Sequence, residues 1–171
     1  SSGTTGIPKG IVQSHLMRAV QMERVSPNGY DDFARTLIST PLYSNTTIVS
    51  FVPTLFGGST VHLMPKFDAR AYLQIVQREK ITHTMLVPVQ YKRIMDEPDF
   101  DSFDLSSMRI KFSTSAPLRL DVKQDVLARF PGKLIEYYGL TEGGGVTVLV
   151  GDENPTKLHT VGKPAPGNDI R

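Results

Sequence analysis

Short apolar runs and amphipathic stretches alternate along almost the whole 171-residue chain, and no other property limits its possible folds so strongly. The runs "RTLISTPLY", "STVHLM", "THTMLV", "MRIKFST", "KLIEYY" and "GVTVLVG" are rich in β-branched and aromatic residues and read as strands, as does the shorter "GIVQSH". Helical patterns lie between them. Ser14 can cap a helix through "LMRAVQMER" that "SPNG" stops. Asp68 can cap another, with an apolar stripe at Ala71, Tyr72, Ile75 and Val76. Pro88 opens a short helix through "QYKRIM", and "LDVKQDVLARF" runs to a stop at "PG". After a polar turn at Ser44 and Asn45, "TTIVSFVPTLFGG" carries no charge and holds Pro53, which predicts a buried, kinked helix finished by Gly57 and Gly58. "EPDFDSFDLSS" reads as a polar connection, and "VGKPAPGNDIR" as turn formers leading into a strand just beginning.

Strand and helix in alternation predict an α/β fold, a mostly parallel sheet flanked by helices. The length suits one domain with a real core, and a second independent domain is not expected. Ligands of such sheets bind in the loops beyond the strand C-terminal ends. "STSAPL" follows "MRIKF" there, and "YGLTEGGG" follows "KLIEY".

Composition removes several classes of function. With no cysteine there is neither a disulfide framework nor a thiolate metal site, a composition that suits a cytoplasmic protein. A net charge of +2, without a basic stripe, does not point to nucleic acid. No apolar run approaches the roughly 18 residues of a membrane span, and the first residues lack the basic and apolar regions of a signal peptide. His15, His62, His83 and His159 have no metal-ligand spacing and read as structural or surface residues.

The opening "SSGTTGIPKG" is built differently. Gly3, Gly6 and Gly10 let main-chain amides approach a ligand closely, and Ser1, Ser2, Thr4 and Thr5 add hydroxyl donors. Lys9 supplies a compact positive charge, and Pro8 stiffens the turn that carries it. Such a loop can clamp phosphate, although a Gly/Ser/Thr cluster by itself reads equally as a flexible linker. Pro8 before Lys9 and Gly10 after it depart from the G-x-x-x-x-G-K-[ST] nucleotide loop, which disfavours a common ATPase or GTPase.

"SSGTTGIPKG", "STSAPL" and "YGLTE", followed by "VGKPAPG", resemble in order and spacing the adenylate-forming superfamily of acyl-CoA synthetases, aryl-CoA ligases, luciferases and amino-acid adenylation domains. The resemblance covers essentially the whole chain. It implies that Ser1, Ser2, Gly3, Thr4, Thr5, Gly6 and Lys9 hold the outer phosphates of ATP. It places Tyr138 and Gly139 against the adenine, with Ser115, Ala116 and Pro117 on the other side of the base. Thr141 would bond the α-phosphate and Glu142 would help hold Mg2+, so that Lys9, Thr141 and Glu142 form the catalytic set. A hydroxyl beside the reacting phosphorus, a carboxylate for a hard cation and an aromatic face for a base make chemical sense together. Tyr137, next to Tyr138, is either a packing residue or a ligand contact.

The implied activity is that of an acid–thiol ligase: a small carboxylic acid attacks the α-phosphorus of MgATP, pyrophosphate leaves, and the acyl group passes to coenzyme A. No protein nucleophile is needed. Tyr43, Ser44, Asn45 and Val87 are candidates for the acyl pocket, with core packing the competing role of Val87. Ser44 stands where many acyl- and aryl-CoA ligases carry His. No acid lies in that stretch to pair a substrate ammonium, which disfavours an amino acid. The resemblance further implies a C-terminal domain bearing a lysine and an Asp for the ribose, and none of these segments is present. Residues 1–171 are therefore expected to be one nucleotide-binding subdomain, the central part of a large N-terminal domain, inactive in isolation. The readings that stay open beside the ligase are a nucleotide-binding or structural module without catalysis, an amino-acid adenylation or luciferase-like enzyme, and a kinase-like phosphotransferase.

Overall fold

The structure is a computed structural model, and it describes residues 10–142 and 146–170. Ser1, Ser2, Gly3, Thr4, Thr5, Gly6 and Lys9 of the expected phosphate loop lie outside the described residues, as do the three glycines after Glu142. Among the described residues, helices and strands follow one another as α1 (His15–Val25), β1 (Arg35–Ile38), α2 (Asn45–Phe56), β2 (Thr60–Leu63), α3 (Ala69–Glu79), β3 (His83–Leu86), α4 (Pro88–Met95), β4 (Ile110–Ser113), α5 (Leu120–Arg129), β5 (Lys133–Tyr138), β6 (Thr147–Val150) and β7 (Lys163–Pro164). The strands form one sheet in the order β2-β1-β3-β4-β5-β6-β7. β1 to β5 pair in parallel, and β6 and β7 close the sheet antiparallel.

Period-two alternation sends neighbouring strand residues to opposite faces, and each face buries its own cluster. On one face Leu37, Leu86 and Leu134 pack with Tyr72, Leu73 and Val76 of α3, Tyr91 and Ile94 of α4, and Val122 and Val126 of α5. On the other, Met85, Ile110, Phe112 and Ile135 meet Val49 of α2, Tyr30 and Tyr137. Rings stack there in a column: His83 on Tyr30 at 4.6 Å, Tyr30 on Phe112 at 6.4 Å, and Phe112 on Tyr137 at 5.7 Å between centroids.

The helix stops and starts follow local chemistry. The Asp68 carboxylate accepts the Ala71 amide at 2.8 Å and caps α3. Ser14 caps α1 by accepting the Met17 amide at 3.1 Å. Pro53 lies inside α2, where the Thr54 hydroxyl bonds the Ser50 carbonyl at 2.8 Å. The C-terminal end of α5 is closed from within the sheet: buried Lys111 donates to the carbonyls of Phe130 and Pro131, each at 2.7 Å, and of Gly132.

Three expectations are corrected. "GIVQSH" is not a strand: residues 10–14 have no regular structure, Val12 is 96% exposed, no strand among the described residues pairs with them, and His15 already opens α1. The last described residues are irregular as well, and the only pairing near the end is the two-residue β7, because Pro164 and the Gly167 turn halt the ladder. "EPDFDSFDLSS" is more than a polar connection. Its Phe100 and Leu105 are buried, and Phe100 meets Phe130 edge to face at 5.8 Å.

Candidate functional site

Parallel strands bring the loops after β1, β3, β4 and β5 to one rim of the sheet, and every described candidate residue stands on one of those loops or at a helix start beside it. The loop after β4 carries Ser115, Ala116 and Pro117, and β5 ends at Tyr138, with Gly139 directly after it. These five residues line a single open cleft of about 160 Å³, completed by Glu136, Tyr137 and Val161. Tyr138 is 56% exposed, so an aromatic face is free at the mouth. Tyr137 both lines the cleft and stacks on Phe112, which merges the two roles open for it in the sequence.

Ser115 departs from ordinary backbone geometry. Its φ of 78° is in the left-handed region that side chains disfavour, and its hydroxyl meets that of Thr46 at 2.6 Å. This contact ties the loop to the first turn of α2, where the acyl-pocket candidates stand. Ser44 is the N-cap of α2 and makes no side-chain cap bond, and Asn45 Oδ1 accepts from Arg18 at 2.9 Å. Tyr43 is 89% exposed, and Val87, half-buried at the start of α4, is not among the cleft-lining residues.

The turn after β5 is linked to the segment that leads into α1. Gln13 Nε2 donates to the Thr141 carbonyl at 2.8 Å, and Gln13 Oε1 accepts from Arg18. Arg18 thus joins the Thr141 turn to Asn45 of α2. Its bonds go to neutral amide oxygens, Gln21 included, and burial pulls its guanidinium below the usual value. Glu142 is exposed beside Thr141.

The histidine reading holds at His83. Its Nε2 donates to the Asn28 carbonyl at 2.8 Å, Nδ1 lies 2.7 Å from the Thr82 hydroxyl, and burial, more than any other influence, holds its pKa down. No group of three or more His, Asp or Glu side chains able to hold a metal ion occurs among the described residues. No described helix is long and apolar enough to cross a membrane.

Gln13, Arg18, Thr46, Glu136 and Val161 were not among the sequence candidates. Glu136 alone had a local signal, a charge in the middle of an apolar strand.

A mostly parallel sheet with a cleft beyond its strand ends, lined by Ser115, Ala116 and Pro117 together with Tyr137 and Tyr138, defines an α/β protein with an opening for a ligand. The chain belongs to the AMP-binding enzyme family, whose model matches residues 1–171. It is 36% identical over 158 residues to 4-coumarate–CoA ligase 2 of Nicotiana tabacum, covering 87% of this chain and 29% of that protein. With 4-coumarate–CoA ligase 1 of Arabidopsis thaliana the identity is 35% over 160 residues, covering 87% and 28%. Among solved structures it resembles the amide bond synthetase McbA of Marinactinospora thermotolerans, with a TM-score of 0.82, 30% identity, and coverage of 95% of this chain and 34% of the other. ATP-bound MatB of Rhodopseudomonas palustris matches with a TM-score of 0.77 and 29% identity, covering 88% and 30%. The chain therefore spans less than a third of the length of these curated relatives.

Proposed function

We propose that this chain is the adenine- and phosphate-binding part of an ATP-dependent acid–thiol ligase, which converts a small carboxylic acid to its acyl-adenylate and then to its coenzyme A thioester. The observation that carries the reading is the meeting of Ser115, Ala116 and Pro117 with Tyr138 and Gly139 in one cleft. An aromatic face opposite a short backbone wall takes a flat heterocycle, and its edge can be bonded by main-chain groups. The relatives named above add that proteins similar to this one are CoA ligases.

In this reading the base lies between Tyr138 and the Ser115, Ala116 and Pro117 wall, and the phosphates run toward Thr141 and Glu142. Ser1, Ser2, Gly3, Thr4, Thr5, Gly6 and Lys9 hold the outer phosphates. The Thr141 hydroxyl bonds the α-phosphate. Glu142 holds Mg2+, which supplies neutralisation of charge on the phosphates. The acid approaches from the first turn of α2, near Ser44 and Asn45, and the Thr46–Ser115 contact keeps that turn beside the nucleotide. A lysine-bearing domain of the full-length protein completes the reaction, so the chain by itself binds nucleotide with little or no turnover. It works free of membrane and nucleic acid, in the cytoplasm.

Titration with MgATP tests the binding half, with saturable uptake as the expected result. In the full-length protein, acid-dependent exchange of labelled pyrophosphate into ATP and AMP as the product are expected. ADP as the product would establish a phosphotransferase instead. Robust exchange by this chain alone would refute its inactivity, and no nucleotide uptake at all would leave a structural module.

A further inference from the structure

Beneath the cleft lies an ion pair for which neither the sheet nor the nucleotide chemistry has an evident need. Lys123 of α5 and Glu136 of β5 are 2% and 3% exposed, and Lys123 Nζ stands 2.5 Å from Glu136 Oε2. Two charges taken out of water lose their hydration, and apolar residues of similar size commonly serve stability as well or better. What apolar residues would not reproduce are the bonds at either end of the pair. Glu136 Oε1 accepts the amide of Leu118, the residue after Pro117, at 3.0 Å. Lys123 Nζ donates to the carbonyls of Leu158 at 2.8 Å and Thr160 at 3.1 Å, just ahead of cleft-lining Val161.

The Lys123 ammonium hydrogen-bonds the Leu158 and Thr160 carbonyls and stands in ion-pair contact with Glu136, whose Oε2 accepts no hydrogen bond from the described residues. The carboxylate divides its oxygens between Lys123 and the Leu118 amide. Three segments separated in sequence are fixed to one point: the Ser115, Ala116 and Pro117 wall, the β5 floor that leads to Tyr138, and the Val161 wall. The Val161 side is held a second time by the Thr147 hydroxyl, which donates to the Val161 carbonyl at 2.6 Å.

We propose that Lys123 and Glu136 are positioning residues of the nucleotide cleft, which set the separation of its two walls. The proposal rests on reading the cleft as the adenine site. Apolar replacement of the pair fills the volume but releases the Leu118 amide and the Leu158 and Thr160 carbonyls, so the walls relax while the core stays packed.

The test compares Lys123→Met, Glu136→Met, the double variant, and Val126→Ala, a cavity made in the main core on the same helix. Thermal unfolding, MgATP titration and amide hydrogen exchange at Leu118 and Val161 are measured on each. The double variant is expected to recover most of the melting temperature lost by the single variants. Its MgATP affinity is expected to stay about tenfold or more below wild type, with faster exchange at both amides. Val126→Ala should lose melting temperature with affinity unchanged. Affinity that merely follows melting temperature across the series would overturn the proposal. If the wild-type chain takes up no MgATP, the nucleotide reading falls by itself. The positioning role then stands on faster exchange at Leu118 and Val161 in the double variant, and falls if exchange there is unchanged.

Discussion

The hydroxyls of Thr46 and Ser115 lie 2.6 Å apart although 69 residues separate them in the chain. The contact holds Ser115 in left-handed backbone geometry that costs a side chain about 1 kcal/mol. Thr46→Val is expected to lose about 1 kcal/mol by removing the partner. Ser115→Gly should stay within about 1 kcal/mol of wild type, because glycine adopts this φ freely. Ser115→Val should cost about 2 kcal/mol, since a β-branched residue tolerates it least. Urea denaturation of the three variants checks the order.

Gly162 directly follows cleft-lining Val161, has a φ of +83°, and a Cβ there would stand 2.0 Å from the Val148 carbonyl oxygen. Backbone, not a movable side chain, blocks the space. Gly162→Ala is expected to cost about 3 kcal/mol. At Gly58, whose φ is +70° and where no described atom lies within 4 Å of the same position, Ala should cost only the backbone strain, about 1 kcal/mol. Chemical denaturation of the two variants side by side measures the difference.

Alkaline stability should show two opposed trends. Burial raises the pKa values of Tyr30, Tyr72, Tyr91 and Tyr137. Above about pH 10, where an unfolded tyrosine ionises, the unfolded chain binds fewer protons than the folded one and stability falls as pH rises. Lys111 works the other way: burial holds its pKa down to about 8. Between that value and about 10.4 the unfolded chain binds more protons, so its contribution to stability grows with pH. Stability should therefore rise gently from pH 8 toward 10 and drop beyond it, and Lys111→Met should abolish the rise. Denaturation midpoints across pH 7 to about 11, with phenol absorbance to follow ionisation, test both trends.

At Tyr138, the proposed adenine contact, stacking of a base on an aromatic ring contributes about 1–3 kcal/mol. Tyr138→Ala should weaken MgATP binding roughly tenfold or more, whereas Tyr138→Phe should keep most of the affinity. Because the ring is 56% exposed, neither change should shift the melting temperature much, which separates a binding loss from unfolding.

Ser44, proposed to face the acid, stands at the N-cap of α2 and makes no side-chain cap bond there. In the full-length protein, Ser44→His is expected to change KM for the acid while leaving KM for ATP within about twofold, because the cleft walls are held elsewhere. A parallel change in both constants would move Ser44 out of the acyl pocket.

Local chemistry wrote most of the fold into the sequence. Asp68 and Ser14 cap their helices as their positions predict, Pro88 opens α4, and the helical stripe at Ala71, Tyr72, Ile75 and Val76 faces the larger core cluster, because caps and periodicity depend only on near neighbours along the chain. The same reasoning failed at the start of the described residues: "GIVQSH" has strand-like residues, yet 10–14 stay irregular and pair with no described strand. Motif order was enough to name Ser115, Ala116, Pro117, Tyr138 and Gly139 as one group, but not Thr46, Arg18, Val161 or the Lys123–Glu136 pair. Thr46 and Ser115 are 69 residues apart and Arg18 and Asn45 are 27, separations closed by parallel register and helix packing, and a side chain's charge or hydroxyl carries no mark of what the folded sheet will set beside it.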